Sequence, residues 1–244
     1  MAKKAAILEP ALAEIREFCA DNSSEANAKR YARFFTEGYD AYGIPKEVWE
    51  SNRTRFYQKY KDRLGLQDFL DLGDLLFGSG KYEEGSFAIV SVQEMLDVFT
   101  PETFQRVGMW LEHGVRNWAH SDVICGMLLG PCLKKGLVAI EDLSGWRASG
   151  SKWKRRAVPV SMLTLLEGKR KPGAWLKFLQ PLMLDRERVV HQGMGWFLRE
   201  VWKQSPAPVE AFLLKWKDQA PRLIFQYATE KMTSSEKQRF RKAK

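Results

Sequence analysis

The feature that most narrows the fold of this chain is a period. Apolar residues recur three and four apart along almost its whole length, as Ile7, Leu8, Leu12, Ile15 and Phe18 do in segment 5–20. That spacing lays them along one stripe of an α-helix. No stretch alternates β-branched with polar residues, so no strand is expected. Further helices are expected at 26–38, 45–61, 67–77, 81–92, 101–112, 116–135, 137–146, 151–167, 173–182, 186–203, 207–217 and 219–231. Ser23 or Ser24 suits the N-cap of the second helix, and Pro45 suits the first residue of the third. Glycine and proline mark the gaps, among them Gly78, Gly80, Pro101, Gly136, Gly150, Gly168, Pro172, Pro206 and Pro208.

The helices fall in pairs with a loose repeat. Ala88, Gly126, Ala157 and Gly195 sit in similar settings, separated by 38, 31 and 38 residues. A small residue at such a place lets a neighbouring helix approach closely. Two helices per unit and a period of roughly 30–45 residues are marks of an α-solenoid of HEAT or armadillo type. The expected fold class is therefore all-α, a HEAT-like superhelix of about six helix pairs, with a compact bundle as the alternative. No domain boundary is visible. One domain is expected over 1–231, followed by a basic, frayed tail at 232–244.

Charge then constrains the partner. The chain carries 39 Lys and Arg against 30 Asp and Glu, a formal charge of +9. Clusters occur at Lys152, Lys154, Arg155 and Arg156, at Lys169, Arg170 and Lys171, and at Lys237, Arg239, Arg241, Lys242 and Lys244. Solvated helix faces carry such runs too, but the balance favours nucleic acid and a basic concave cleft. Arg155 reads equally well as plain surface. No apolar run approaches the roughly 20 residues of a membrane helix, and Glu9, Glu14 and Glu17 interrupt any export signal. A cytoplasmic protein is expected, nucleoid-associated when bound to DNA.

Several chemistries have no support in the sequence. Cys19, Cys125 and Cys132 are odd in number and form no CxxC pair, and His113, His120 and His191 lack metal-binding spacing. The cysteines read as buried thiols in a reducing compartment. Gly78-Ser79-Gly80-Lys81 lacks the rest of a phosphate loop, and Gly193-x-Gly195 follows no strand.

What remains is a constellation. Trp118 and Asp122 are four residues apart, and Trp196 and Arg199 three apart, so each pair shares a helix face. Trp49, Trp110, Trp146, Trp175, Trp202 and Trp216 lie in apolar-periodic settings and read as core or rim. Tyr31 and Phe35 read as core, and Asp71 and Asp74 as surface. Taken alone, Trp118 and Trp196 would read as core too, and Asp122 as a solvated charge.

Four segments change that reading. GKYEEGSFAI at 80–89, Trp118-x-x-x-Asp122, Trp153-x-x-Arg156-Ala157 and GWFLRE at 195–200 resemble, in order and separation, the DNA alkylation repair glycosylases of the AlkD type, built from HEAT-like repeats. The resemblance runs from about residue 28 to 231. It implies that Trp118 and Trp196 contact the sugar of the lesion nucleotide, that Asp122 is the catalytic carboxylate, and that Arg156 holds the backbone beside the lesion. Arg199 and Lys154 are expected as further DNA contacts. The chain departs from the family at Gln192, where a lysine is common, and at Val189 and Val190, where bulkier residues are common.

The implied activity is hydrolysis of the N-glycosidic bond of cationic N3- or N7-alkylated purines in duplex DNA. It needs no metal and no cofactor, and a monomer suffices. The sequence shows no recognisable base pocket, in keeping with a family thought to leave the base stacked. The alternatives are a non-catalytic HEAT-repeat DNA-binding protein that senses distorted DNA, and a protein-binding scaffold.

Overall fold

The computed structural model describes residues 2–167 and 172–242. All regular structure among them is helical. The α-helices are α1 (Ala2–Asp21), α2 (Glu25–Ala32), α3 (Lys46–Tyr60), α4 (Leu66–Ser79), α5 (Tyr82–Gln93), α6 (Pro101–His113), α7 (Trp118–Ile124), α8 (Gly130–Lys134), α9 (Lys152–Ser161), α10 (Gly173–Leu179), α11 (Arg188–Gln204), α12 (Pro206–Trp216), α13 (Arg222–Ala228) and α14 (Ser234–Gln238). None is long and apolar enough to cross a membrane.

The chain clusters into two compact units, Met1–Leu128 and Leu129–Lys244. Each is built round one helix. In the first, α5 packs against α1, α3, α4 and α7 and buries Phe87, Ala88, Ile89 and Val92. In the second, α11 packs against α9, α12 and α13 and buries Val190, Met194, Phe197 and Leu198. A helix surrounded in this way removes apolar surface from water on most of its circumference, which is the chief favourable term in folding.

Most expected helices form, and those that stop short do so for local reasons. The segment expected at 26–38 ends at Ala32. Beyond the helix, Phe35 stacks on Tyr39 with centroids 4.4 Å apart. Ser24 caps α2, accepting from Asn27 N at 3.3 Å. Pro45 is the residue before α3 rather than its first. The segment at 116–135 begins at Trp118, capped by Asn117, and widens into a π-helical turn over Cys125–Leu129 before α8. The segment at 151–167 is α-helical to Ser161 and tightens to 3₁₀ over Met162–Glu167. Pro159 removes one backbone donor in that last α-turn. Segment 137–146 folds as two 3₁₀ turns, Ile140–Leu143 and Gly145–Ala148.

The described part of the tail, 232–242, carries a short helix. Thr233 and Glu236 form a reciprocal capping box at the head of α14. Phe240 is buried, and its carbonyl accepts from Arg222 Nη1 at 2.7 Å. The cluster Lys169, Arg170 and Lys171, with Gly168 before it, lies outside the described residues, as does Lys244.

Of the four small residues singled out by spacing, three are buried. A Cβ on Gly195 would stand 2.5 Å from Tyr227 Cβ and 2.7 Å from the Ile224 carbonyl oxygen, so glycine is what lets α13 lie on α11. Ala88 and Ala157 are enclosed. Gly126 is different: it is exposed, it sits in the π turn, and an added Cβ meets nothing within 4 Å. Its spacing reflects no close helix approach. Gly195→Ala therefore destabilises the protein by roughly 1–3 kcal/mol through overpacking, seen as a fall of several degrees in thermal melting. Gly126→Ala in the same measurement leaves the midpoint unchanged or raises it.

Candidate functional site

The first unit carries an aromatic-lined cavity of about 600 Å³, and its construction starts from two buried carboxylates. Glu83 and Glu84 occupy the first turn of α5 and are buried. Glu83 accepts three backbone hydrogen bonds, from Tyr42 N at 2.9 Å, Gly43 N at 2.8 Å and Ile44 N at 3.3 Å. Glu84 accepts from Tyr42 Oη at 2.9 Å and from Arg16 Nε at 3.1 Å. Several charge-assisted bonds per carboxylate offset the cost of taking these charges out of water, and the helix N-terminus favours them further.

The loop they hold, 33–45, supplies one wall. Gly43 makes its turn at φ +76°, and a Cβ there would stand 2.3 Å from the Ser24 carbonyl oxygen, so no other residue fits. Phe34, Phe35 and Tyr39 project from this loop into the cavity lining. Phe35 stacks on Trp118 at 5.7 Å and 20°, and the indole Nε1 of Trp118 donates to the Phe34 carbonyl at 3.0 Å. Trp118 stays 39% exposed and Phe34 54%. Part of each ring is therefore open to solvent.

α7 is fixed from below. Asn117 Oδ1 accepts from His120 N at 2.8 Å and caps the helix at Trp118. The buried His120 ring stacks on Tyr82 at 4.6 Å and 10°. Its Nε2 donates to the Tyr82 carbonyl at 3.0 Å, which leaves Nδ1 to accept from Asn117 Nδ2 at 3.2 Å. Both partners suit a neutral imidazole. A Cβ on Gly85 would fall 2.7 Å from the His120 ring, so Gly85 is what admits this histidine against α5.

Asp122 lies one turn beyond Trp118 and is half-buried. The helix widens from Cys125, three residues on, and Cys125 N bonds back to the Ser121 and Asp122 carbonyls. π turns inside helices occur often at functional sites. Cys125 and Cys132 are both buried, but the π turn between them breaks the single helix face that their seven-residue spacing suggests.

In the second unit the expected residues are placed as follows. Trp196 is on α11 and half-buried. Arg156, on α9, is only 5% exposed, and its Nη1 donates to the Val189 carbonyl at 2.6 Å, tying α9 to the first turn of α11. Arg155 is buried rather than plain surface. It grips Asp185 with two bonds, Nε to Oδ2 at 2.6 Å and Nη2 to Oδ1 at 3.2 Å, and donates to the Ser149 carbonyl at 2.7 Å. Arg199 pairs with Glu200 at 2.9 Å and with Glu230. The Lys154 ammonium lies over the Trp146 ring at 5.2 Å. Val189 and Val190 are buried, and Gln192 Nε2 donates to Tyr227 Oη at 2.9 Å.

Sequence reasoning missed the aromatic wall. Tyr31 and Phe35 read as core yet line the cavity, as does Trp49. Asp71 and Asp74 read as surface, and both pair with Arg106. Asp74 also accepts from Trp110 Nε1 at 2.7 Å. The available signal for the wall was the density of aromatics in YARFFTEGYDAYG, residues 31–43.

The His120 ring gives a test of this support. Burial pushes its pKa from 6.5 down to about 4. Between those values the unfolded chain binds a proton that the folded protein does not, so stability falls as pH drops through that window. His120→Gln removes that part of the slope when unfolding free energy is measured against pH. An unchanged slope would mean that the imidazole is not held neutral.

Comparison with known proteins bears on the chain as a whole. The family model described as DNA alkylation repair enzyme matches residues 15–232. A solved structure of a predicted DNA alkylation repair enzyme from Enterococcus faecalis has the same fold, with a TM-score of 0.75 at 14% identity, over 87% of this chain and 98% of that one. Among curated proteins, none matches the chain.

Proposed function

This chain belongs to the DNA alkylation repair enzyme family, and on that premise we propose that it is a DNA glycosylase acting on cationic alkylated purines in duplex DNA. Its partner is DNA, as its family's role in repairing alkylation damage implies. The observation that carries the finer reading is the head of α7. There a half-exposed indole is pinned in orientation at both its ring face and its N–H, and a carboxylate follows one turn later.

The chemistry asks for little more. An alkyl group on N7 of guanine or N3 of adenine gives the base a positive charge and makes it a good leaving group. As C1′–N breaks, the bonding electron pair goes to the base and neutralises it. Positive charge passes to the deoxyribose as an oxocarbenium ion. Water adds at C1′ and loses a proton, leaving an abasic site and a free neutral base. The protein's task is to stabilise the sugar cation and orient the water.

Asp122, ionised, faces the cation and positions the water. A preorganised contact of this kind contributes roughly 3–4 kcal/mol. The faces of Trp118 and Trp196 each attract a cation by about 0.5–2 kcal/mol. Those sums serve a bond that the lesion has already weakened and fall well short of what a neutral base requires. Arg156, Lys154 and Arg199 are assigned to phosphate contacts, which set register without reading sequence. Arg156 and Arg199 already make bonds within their own unit, so their share is orientation more than raw affinity. The HEAT-like superhelix and its basic concave cleft belong to the same proposal, as does a monomeric state.

The direct experiment is release of 7-methylguanine from methylated duplex DNA under single-turnover conditions. The wild type exceeds buffer. Asp122→Asn loses about 10²–10³ in rate with DNA affinity retained, and Trp118→Ala loses about 2–30-fold. Equal rates for wild type and Asp122→Asn contradict the assignment of Asp122.

A further inference from the structure

The arginines of the second unit that the sequence singles out are already engaged within the protein. Arg155 grips Asp185, Arg156 donates to the Val189 carbonyl, and Arg199 pairs with Glu200 and Glu230. The first unit differs. Three guanidinium groups there lie over rings that line the cavity: Arg30 over Tyr31 at 4.9 Å, Arg33 over Phe34 at 4.8 Å and Arg53 over Trp49 at 5.4 Å. Among the described residues, none of the three has a carboxylate partner. We propose that Arg30, Arg33 and Arg53 form a clasp for the phosphates of the DNA backbone beside this cavity, with the bases left in the duplex. The proposal rests on the DNA repair reading above and adds to its phosphate contacts three residues on α2 and α3.

A guanidinium laid over a ring engages its face. Its N–H donors lie in its own plane and stay available, so the ring sets their direction without consuming them. Arg30 gives one donor, at Nη2, to Tyr31 Oη at 2.8 Å. Arg53 Nε is buried with no hydrogen-bond partner, a donor still unmet. The planar fork that remains matches two oxygens of one phosphate.

The neighbouring acids are engaged elsewhere. Glu83 is held by three backbone amides, Glu50 pairs with Lys46 at 3.8 Å, and Asp40 pairs with Lys81 at 2.6 Å. Glu94 borders a smaller pocket of about 130 Å³ with Arg53 and forms no ion pair with it. Trp118, assigned above to the sugar of the lesion nucleotide, lines the same cavity as the three rings. The phosphates flanking that sugar are therefore the ones the clasp would take. A helix dipole offers a competing reason for two of the cations, because Arg30 and Arg33 stand at the C-terminal end of α2. Arg53 lies in the middle of α3 and has no such reason.

The test measures the affinity of the full chain for an undamaged duplex over a roughly fourfold range of salt. Each phosphate neutralised contributes about 0.9 to the slope of log affinity against log salt. Arg30→Gln, Arg33→Gln and Arg53→Gln each lower that slope by about 0.9, and the triple variant by about 2.7. Arg53→Lys keeps the slope, since the charge stays, and binds more weakly because the fork is gone. Arg63→Gln is the control. It removes an exposed guanidinium lying over Tyr60, a ring outside the cavity lining, and leaves the slope at the wild-type value. Arg30 and Arg33 are exposed, so their variants decide the matter even where Arg53→Gln lowers the melting midpoint. In single-turnover release of 7-methylguanine, the triple variant needs more protein to reach half its maximal rate. That maximum stays within about twofold of wild type, because a phosphate contact is the same in ground and transition states.

Unchanged slopes in all three single variants overturn the proposal, as does an equal fall in Arg63→Gln. If the slopes fall and no base is released, the clasp stands and the glycosylase reading fails. If base is released and the slopes do not move, the clasp fails and the glycosylase reading stands.

Discussion

The loop wall of the cavity in the first unit hangs from the buried carboxylate of Glu83. It sits in the first turn of α5, the central helix of the first unit, and accepts hydrogen bonds from three consecutive backbone amides of a loop that has no regular structure of its own. A loop of this kind has no packing reason to present aromatic rings on one side. The carboxylate gives it one, by fixing residues 42–44 and so the rings that precede them. Its neighbour Glu84 ties the same helix end to Tyr42 and Arg16. Removing one such acceptor strands buried amides, which costs more than the bonds are worth when made.

The same helix also sets the other wall. Gly85 admits His120, His120 and Asn117 fix the start of α7, and α7 begins at Trp118. The indole is thus reached by two independent routes from α5, one through the loop and one through the histidine. That redundancy is the structural form of preorganisation: the ring is held in place before any ligand arrives, so little ordering is left to be done at binding. The π turn that follows Asp122 belongs to the same logic. It begins at Cys125, three residues beyond the carboxylate.

The sequence made the helices legible because burial in an all-helical chain imposes a 3.6-residue period. It did not reveal the cavity, because Phe35, Tyr39, Tyr82 and Trp118 are brought together by tertiary contacts across some eighty positions, and no local period records that. The π turn has no compositional signature, so Gly126 read as a packing position when it is an exposed one. The basic run Lys154-Arg155-Arg156 shows a different limit. As a string it is a charge cluster. In the fold, two of its three members are buried, Arg155 because Asp185 lies thirty residues away in sequence and beside it in space. A charge run says nothing about distant partners. The pairing of Trp118 with Asp122 was legible as a spacing, and its chemistry came from resemblance rather than from the spacing itself.

The central claim is that positive charge on the substrate does much of the work, and that Asp122 and its aromatic neighbours respond to that charge. The most direct measurement compares two duplexes that differ only in the damaged base, one carrying 7-methylguanine and the other hypoxanthine, a neutral base. The account predicts release of 7-methylguanine above the spontaneous rate and no measurable release of hypoxanthine. Release of both at similar rates would contradict it, since a site that stabilises the sugar cation and leaves departure of the base to the lesion's own charge has no means of removing a neutral base.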